Sequence, residues 1–154
     1  MINLDFIPES TRAAGLGLLM KGAGKVTRYL PIPQPTLLVG PGSSGRLGQA
    51  VAGFGHTKLM IVTDGIIVKL GLLADLTAAL TAGGAQYAVW DEITPDAPIP
   101  LIERGIQFYK DNGCDALVAV GGGSSIDASK AIAVSIANPS KSLRQLAGYY
   151  KGLR

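Results

Sequence analysis

Cysteine and histidine are almost missing from this chain: Cys114 and His56 are the only ones in 154 residues. A lone cysteine forms no internal disulfide, and it fits a reducing, cytoplasmic setting. Cys114 stands just before the apolar run ALVAV, which favours a small packed residue over a catalytic thiol. One histidine without partners at ligand spacing builds no metal centre. A solvated or capping role is expected of His56 in its stretch FGHTK. Charge is sparse as well, with charged residues at 16% and a net charge of +3. Lys21, Lys25 and Arg28 toward one end, and Lys141, Arg144, Lys151 and Arg154 toward the other, form no dense basic stripe. Nucleic-acid binding therefore lacks support. Long apolar runs are missing too. The stretch AAGLGLLM is too short to span a bilayer and has no basic segment before it, so neither a membrane span nor a targeting signal is read.

What is abundant is apolar residues, at 47%, and glycine, with 21 copies. The first is enough for one globular domain with a real core. The glycines fall mostly at the ends of apolar runs, where turns form. Strand-like and helix-like segments alternate. Strands are expected at 36–39 (TLLV), 58–63 (KLMIVT), 85–90 (AQYAVW) and 116–120 (ALVAV), the last apolar throughout, as a strand buried on both faces should be. Helices are expected at 46–54, at 66–82 with a break near Gly71, at 99–112 and at 125–137, the last ended by Asn138-Pro139. In the third of these, Ile102, Ile106 and Tyr109 share one face. This order means a parallel sheet covered by helices, with right-handed crossovers. Residues 1–35 stand apart, with an amphipathic pattern over 10–29 and then the proline-rich PIPQP.

Two glycine-rich loops follow apolar runs. LLVGPGSSG holds G-x-G-x-x-G at Gly40, Gly42 and Gly45, and Asp64 follows about twenty residues later. In outline that is a dinucleotide-binding fingerprint, with a carboxylate placed to accept from a ribose 2′-OH. Pro41 removes one N–H that such a loop would offer, and an ordinary tight turn explains the stretch slightly better than a phosphate site. The second loop suits a phosphate better. Gly121, Gly122 and Gly123 lack side chains and can bring their amides close to a pyrophosphate. Ser124 or Ser125 can cap the helix beginning there, whose N-terminus adds roughly half a positive charge. It is no Walker A loop, because Lys130 lies two turns inside the helix. Asp127, in the first helical turn, reads either as a dipole-favourable surface residue or as a polar contact to a cofactor.

The run GGGSSIDASKAIAV, preceded by GCDALVAV and the turn ITPDAPIP, resembles the cofactor domain of the iron-containing (group III) alcohol dehydrogenases. IVTDGIIVKLGL and LVGPGSSGRLGQAV fit the same family, and the likeness covers about residues 32–148. It implies an α/β, Rossmann-like parallel sheet with helices on both faces, the N-terminal domain of a two-domain dehydrogenase. Residues 36–154 would be the dinucleotide-binding domain, after an N-terminal helix and linker at 1–35.

The likeness also implies a site. The pyrophosphate would lie against Gly121, Gly122, Gly123 and Ser124, with Asp127 toward the nicotinamide. Asp64 would hold the adenosine ribose, which implies NAD rather than NADP. Asp96, where the family often carries Asn, is the remaining cofactor-binding candidate, and the Gly40–Gly45 loop would be mainly a turn that lets strand and helix pack. In such enzymes a later helical domain supplies one Asp and three His to a divalent metal, usually iron, that polarises a small alcohol or aldehyde for hydride transfer. The chain ends before that segment, so it is expected to bind NAD, to hold no metal chemistry and to oxidise no alcohol unaided. A homo-oligomer is expected. Two other readings compete: a non-enzymatic, self-associating scaffold of the same fold, and an unrelated nucleotide-binding α/β module.

Overall fold

The computed structural model describes residues 35–146. The helix expected at 10–29 lies outside them, as does most of the proline-rich stretch. The sheet has three parallel strands, β1 (Lys58–Val62), β2 (Gln86–Trp90) and β3 (Ala116–Ala119), in the order β2-β1-β3. Among the described residues six helices accompany them: α1 (Ser43–Ala52), α2 (Gly65–Lys69), α3 (Ala74–Ala82), α4 (Ile99–Asp111), α5 (Gly123–Ala137) and the short α6 (Leu143–Leu146). The helical pattern over 66–82 does break near Gly71, whose φ of 68° no helix accommodates. Asn138 ends α5, as its sequence implies.

One apolar run, ending in the β-branched Ile61 and Val62, makes the central strand. Leu59, Met60, Ile61 and Val62 of β1 are all fully buried, and their side chains alternate between two cores. Met60 and Val62 join Trp90, Leu101, Ile102, Ala128 and Ile132 under α4 and α5. Leu59 and Ile61 join Leu73, Leu76, Leu80 and Val118 under α3. Helices thus cover both faces. Fully burying Trp90, Leu76 or Ile132 contributes roughly 1.5–3 kcal/mol each. Tyr109 and Ile106 pack on the first core beside Ile102, and Cys114 is buried there, where loss of water raises its thiol pKa.

Helix α1 lies on α3 through residues with little or no side chain. A methyl group on Gly48 would lie 2.7 Å from Ala79 Cβ and 2.8 Å from the Leu76 carbonyl oxygen, and one on Gly83 would strike Ala52. Only glycine permits this approach.

Two sequence expectations are corrected here. Residues 36–39 form no strand: among the described residues nothing pairs with them, Val39 is 81% exposed, and its carbonyl accepts instead from the Arg46 guanidinium at 2.8 Å. The hydrophobic run had the right composition but gained no ladder partner, and composition alone does not make a strand. Consequently the Gly40–Gly45 loop joins no strand to a helix. It is a turn in which Gly40 and Gly42 take positive φ (98° and 72°) ahead of α1. The second correction concerns β3, which is only partly buried because it forms an edge of the sheet among the described residues.

At the N-terminal rim of the sheet, the Asp115 carboxylate accepts from the amides of Thr57 (2.7 Å) and Lys58 (3.2 Å). The Asp115 amide donates back to the Lys58 carbonyl at 2.9 Å. These contacts clamp β1 to β3. The Thr57 amide in particular holds the Asp115 carboxyl below the usual carboxylate range. His56 lies beside it, with Nδ1 3.8 Å from Oδ1.

Candidate functional site

Strand order decides where a site can form. From β1 the chain crosses to β2 on one side, then returns past β1 to β3 on the other. Crossovers that leave in opposite directions open a crevice at the carboxyl ends of the two strands between them, here β1 and β3. The register is level at that end, since Val62 pairs with both Trp90 and Ala119. The segments after the strands therefore meet at one rim.

Two sequence-predicted regions are brought together there. Asp64 follows β1, half-buried, and its Oδ1 accepts from the amides of Ile66 (2.9 Å) and Ile67 (3.0 Å), capping α2. Its Oδ2 points toward the loop after β3, 3.5 Å from where a Gly121 Cβ would stand. A cleft of about 590 Å³ opens beside them, lined by Asp64, Gly122, Gly123 and Ser124 together with α2, Ser125 and the turn Ile93–Pro95. That volume suits a cofactor-sized ligand.

The glycine loop is built as an amide cradle. Gly121 has φ 142°, and a Cβ there would lie 2.5 Å from Ser125 Oγ and 3.1 Å from Ser125 Cβ. At Gly122 and Gly123, by contrast, an added Cβ meets nothing within 4 Å, so the space in front of them is open. The first hydrogen bond of α5 runs from the Ile126 amide to the Gly122 carbonyl at 3.2 Å. The amides of Gly123, Ser124 and Ser125 precede it and have no carbonyl one turn back. The residues present fit the pyrophosphate of a dinucleotide: unpaired amides, a helix N-terminus and no side chain in the way.

The sequence reading of the serines is corrected. Neither Ser124 nor Ser125 caps α5, because the helix starts two residues earlier than expected, at Gly123, with Gly122 as an N-cap lacking a side chain. The serines lie in the first turn, with Ser125 buried and its carbonyl accepting from Ser129 Oγ at 2.8 Å. The same shift moves Asp127 past the first turn. Its side chain is 76% exposed and pairs with Lys130 at 3.2 Å, and it does not line the cleft. Asp96 is likewise outside the lining, though its neighbours Thr94 and Pro95 belong to it. Its φ of 66° lies in the left-handed region that Asn and Asp tolerate best among residues with side chains.

The sequence reading missed Lys69, which ends α2 and lines the same cleft. No motif singles it out in the sequence, where it is a lone lysine near the end of a short helix. Among the described residues, no group of three or more His, Cys, Asp or Glu could hold a metal ion. Nor is any described helix long and apolar enough to cross a membrane.

Comparison with known proteins adds the ancestry. The family model for iron-containing alcohol dehydrogenases matches residues 34–153. Lactaldehyde reductase of Escherichia coli K12 is 36% identical over 104 residues, 68% of this chain and 27% of that one. The NAD-dependent methanol dehydrogenase of Bacillus methanolicus is 33% identical over 104 residues, again 68% and 27%. Among solved structures, the alcohol dehydrogenase from Oenococcus oeni superposes with a TM-score of 0.65 at 30% identity, covering 70% of this chain and 28% of the other. The chain therefore spans about a quarter of the length of these relatives.

Proposed function

This chain belongs to the iron-containing alcohol dehydrogenase family, and we propose that it forms the NAD-binding part of such an enzyme, serving hydride transfer between a small alcohol or aldehyde and NAD. The observation that carries this reading is the convergence of Asp64 and Gly122–Ser124 on one cleft at the β1/β3 switch point. When bound, NAD accepts or returns the hydride. The residues of this chain bind and orient it: amides of the Gly121–Ser124 loop on the pyrophosphate, and Asp64 Oδ2 on the adenosine ribose. The free oxygen matters, because Oδ1 is already occupied by α2. A carboxylate there disfavours a 2′-phosphate, which supports NAD over NADP. Asp127 is assigned to the cofactor's nicotinamide side and Asp96 to a further cofactor contact, both beyond the cleft's described lining. The nucleotide-binding unit is assigned to residues 36–154, and a buried single cysteine supports a cytoplasmic setting.

The described residues offer no fit to iron. Calorimetric titration with NADH, NADPH and ADP-ribose tests the reading. Binding of NADH and ADP-ribose, with NADPH much weaker, is the expected result. No binding of any of the three, or a preference for NADPH, counts against it.

A further inference from the structure

The cleft's charges do not match its proposed ligand unless one more residue takes part. A dinucleotide pyrophosphate brings two negative charges, and the amide cradle answers with partial charge only. Of the charged side chains lining the cleft among the described residues, Asp64 is an anion and repels the ligand, whereas Lys69 is a cation. Lys69 is exposed and forms no ion pair or side-chain hydrogen bond with any described residue. It also stands on the same five-residue helix that Asp64 caps, so Asp64 fixes the helix that carries it.

From these placements we propose that Lys69 is the counter-charge for the cofactor's phosphates, a positioning and affinity residue that offsets the Asp64 carboxylate. The inference rests on the NAD-binding reading. An ammonium on a flexible stem suits this task because it can follow either phosphate without a fixed geometry. A bland role is also open to it: a cation in the last turn of α2 favours the helix dipole. The two roles differ in what they move. A dipole role changes stability, while a counter-charge changes affinity in a salt-dependent way.

The test titrates NADH into the full chain and into its Lys69→Gln and Lys69→Arg variants, at about 30 mM and 300 mM salt, with thermal melting of each. Lys69→Gln should bind NADH roughly three- to tenfold more weakly at low salt, with the gap closing at high salt. Lys69→Arg should bind like the parent, and all three should melt together. If the parent binds NADH and Lys69→Gln binds equally well at both salts, the inference fails and the NAD reading stands. A Lys69→Gln protein that loses affinity only in step with a lower melting temperature also overturns it, in favour of the dipole role. A parent that binds no dinucleotide removes the NAD reading and this inference with it.

Discussion

Replacing Gly121 by alanine separates what the glycine loop does for folding from what it does for a ligand. The new Cβ would sit 2.5 Å from Ser125 Oγ and 3.1 Å from Ser125 Cβ, at a φ of 142°. Rotating the hydroxyl relieves the first contact but not the second, because the Ser125 Cβ is fixed by the backbone of α5. The φ adds strain of roughly 1–3 kcal/mol for a residue with a side chain, and overpacking adds a similar amount. Taken together, a loss of about 2–6 kcal/mol is expected. With a urea dependence of about 2 kcal/mol per molar, the unfolding midpoint should fall by about 1–3 M. Gly123→Ala is the matched control. Its Cβ meets nothing within 4 Å and its place in α5 is unstrained, so stability should hold within about 0.5 kcal/mol or rise. That methyl projects into the open space before the amides, so NADH affinity should fall at least about tenfold, the equivalent of about 1.4 kcal/mol. A Gly121→Ala protein that unfolds with the parent would refute the close-approach argument. A Gly123→Ala protein that binds NADH normally would refute the cradle.

Three more expectations follow from the rest of the fold. Gly48→Ala should cost about 1–3 kcal/mol in a urea melt, because its Cβ would face Ala79 and the Leu76 carbonyl across the α1–α3 seam; an unchanged midpoint would mean that the helices can separate freely. Asp115 has a folded pKa below its ordinary 3.8, so its stabilisation is present above about pH 4 and is lost as pH falls through the folded value. Asp115→Asn should therefore lower the unfolding midpoint at pH 7, with a loss that shrinks as pH falls below about 4; a loss that stays constant with falling pH would refute the clamp. Burial raises the Cys114 thiol, so a thiol reagent at pH 8 should label the native chain far more slowly than the urea-unfolded one, and comparable rates would contradict its packing.

Strand and helix alternation was legible because buried apolar runs and amphipathic periods are local signals. So was the break at Gly71. What failed was what depends on partners. TLLV at 36–39 has strand composition but no ladder partner among the described residues, and pairing is invisible in the residues of one segment. The start of α5 was misjudged by two residues because glycines gave no helix signal, although Gly123 is helical. That small shift took the capping role from the serines and moved Asp127 out of the first turn. The meeting of Asp64 with the Gly121 loop followed from a resemblance, whereas its physical cause, the 2-1-3 strand order, lay in topology. Lys69 was overlooked because a lone lysine near the end of a helix carries no motif.

Parallel strands sort the molecule's duties by direction. Whatever precedes a strand gathers at one rim, where Asp115 holds Thr57 and Lys58. Whatever follows a strand gathers at the other, where Asp64 faces the glycine loop. A five-residue strand keeps these rims about 16 Å apart, beyond the reach of screened charge at ordinary salt. Acid tolerance and ligand preference are thus independent dials on one small sheet, and a lineage or an engineer can turn either without disturbing the other.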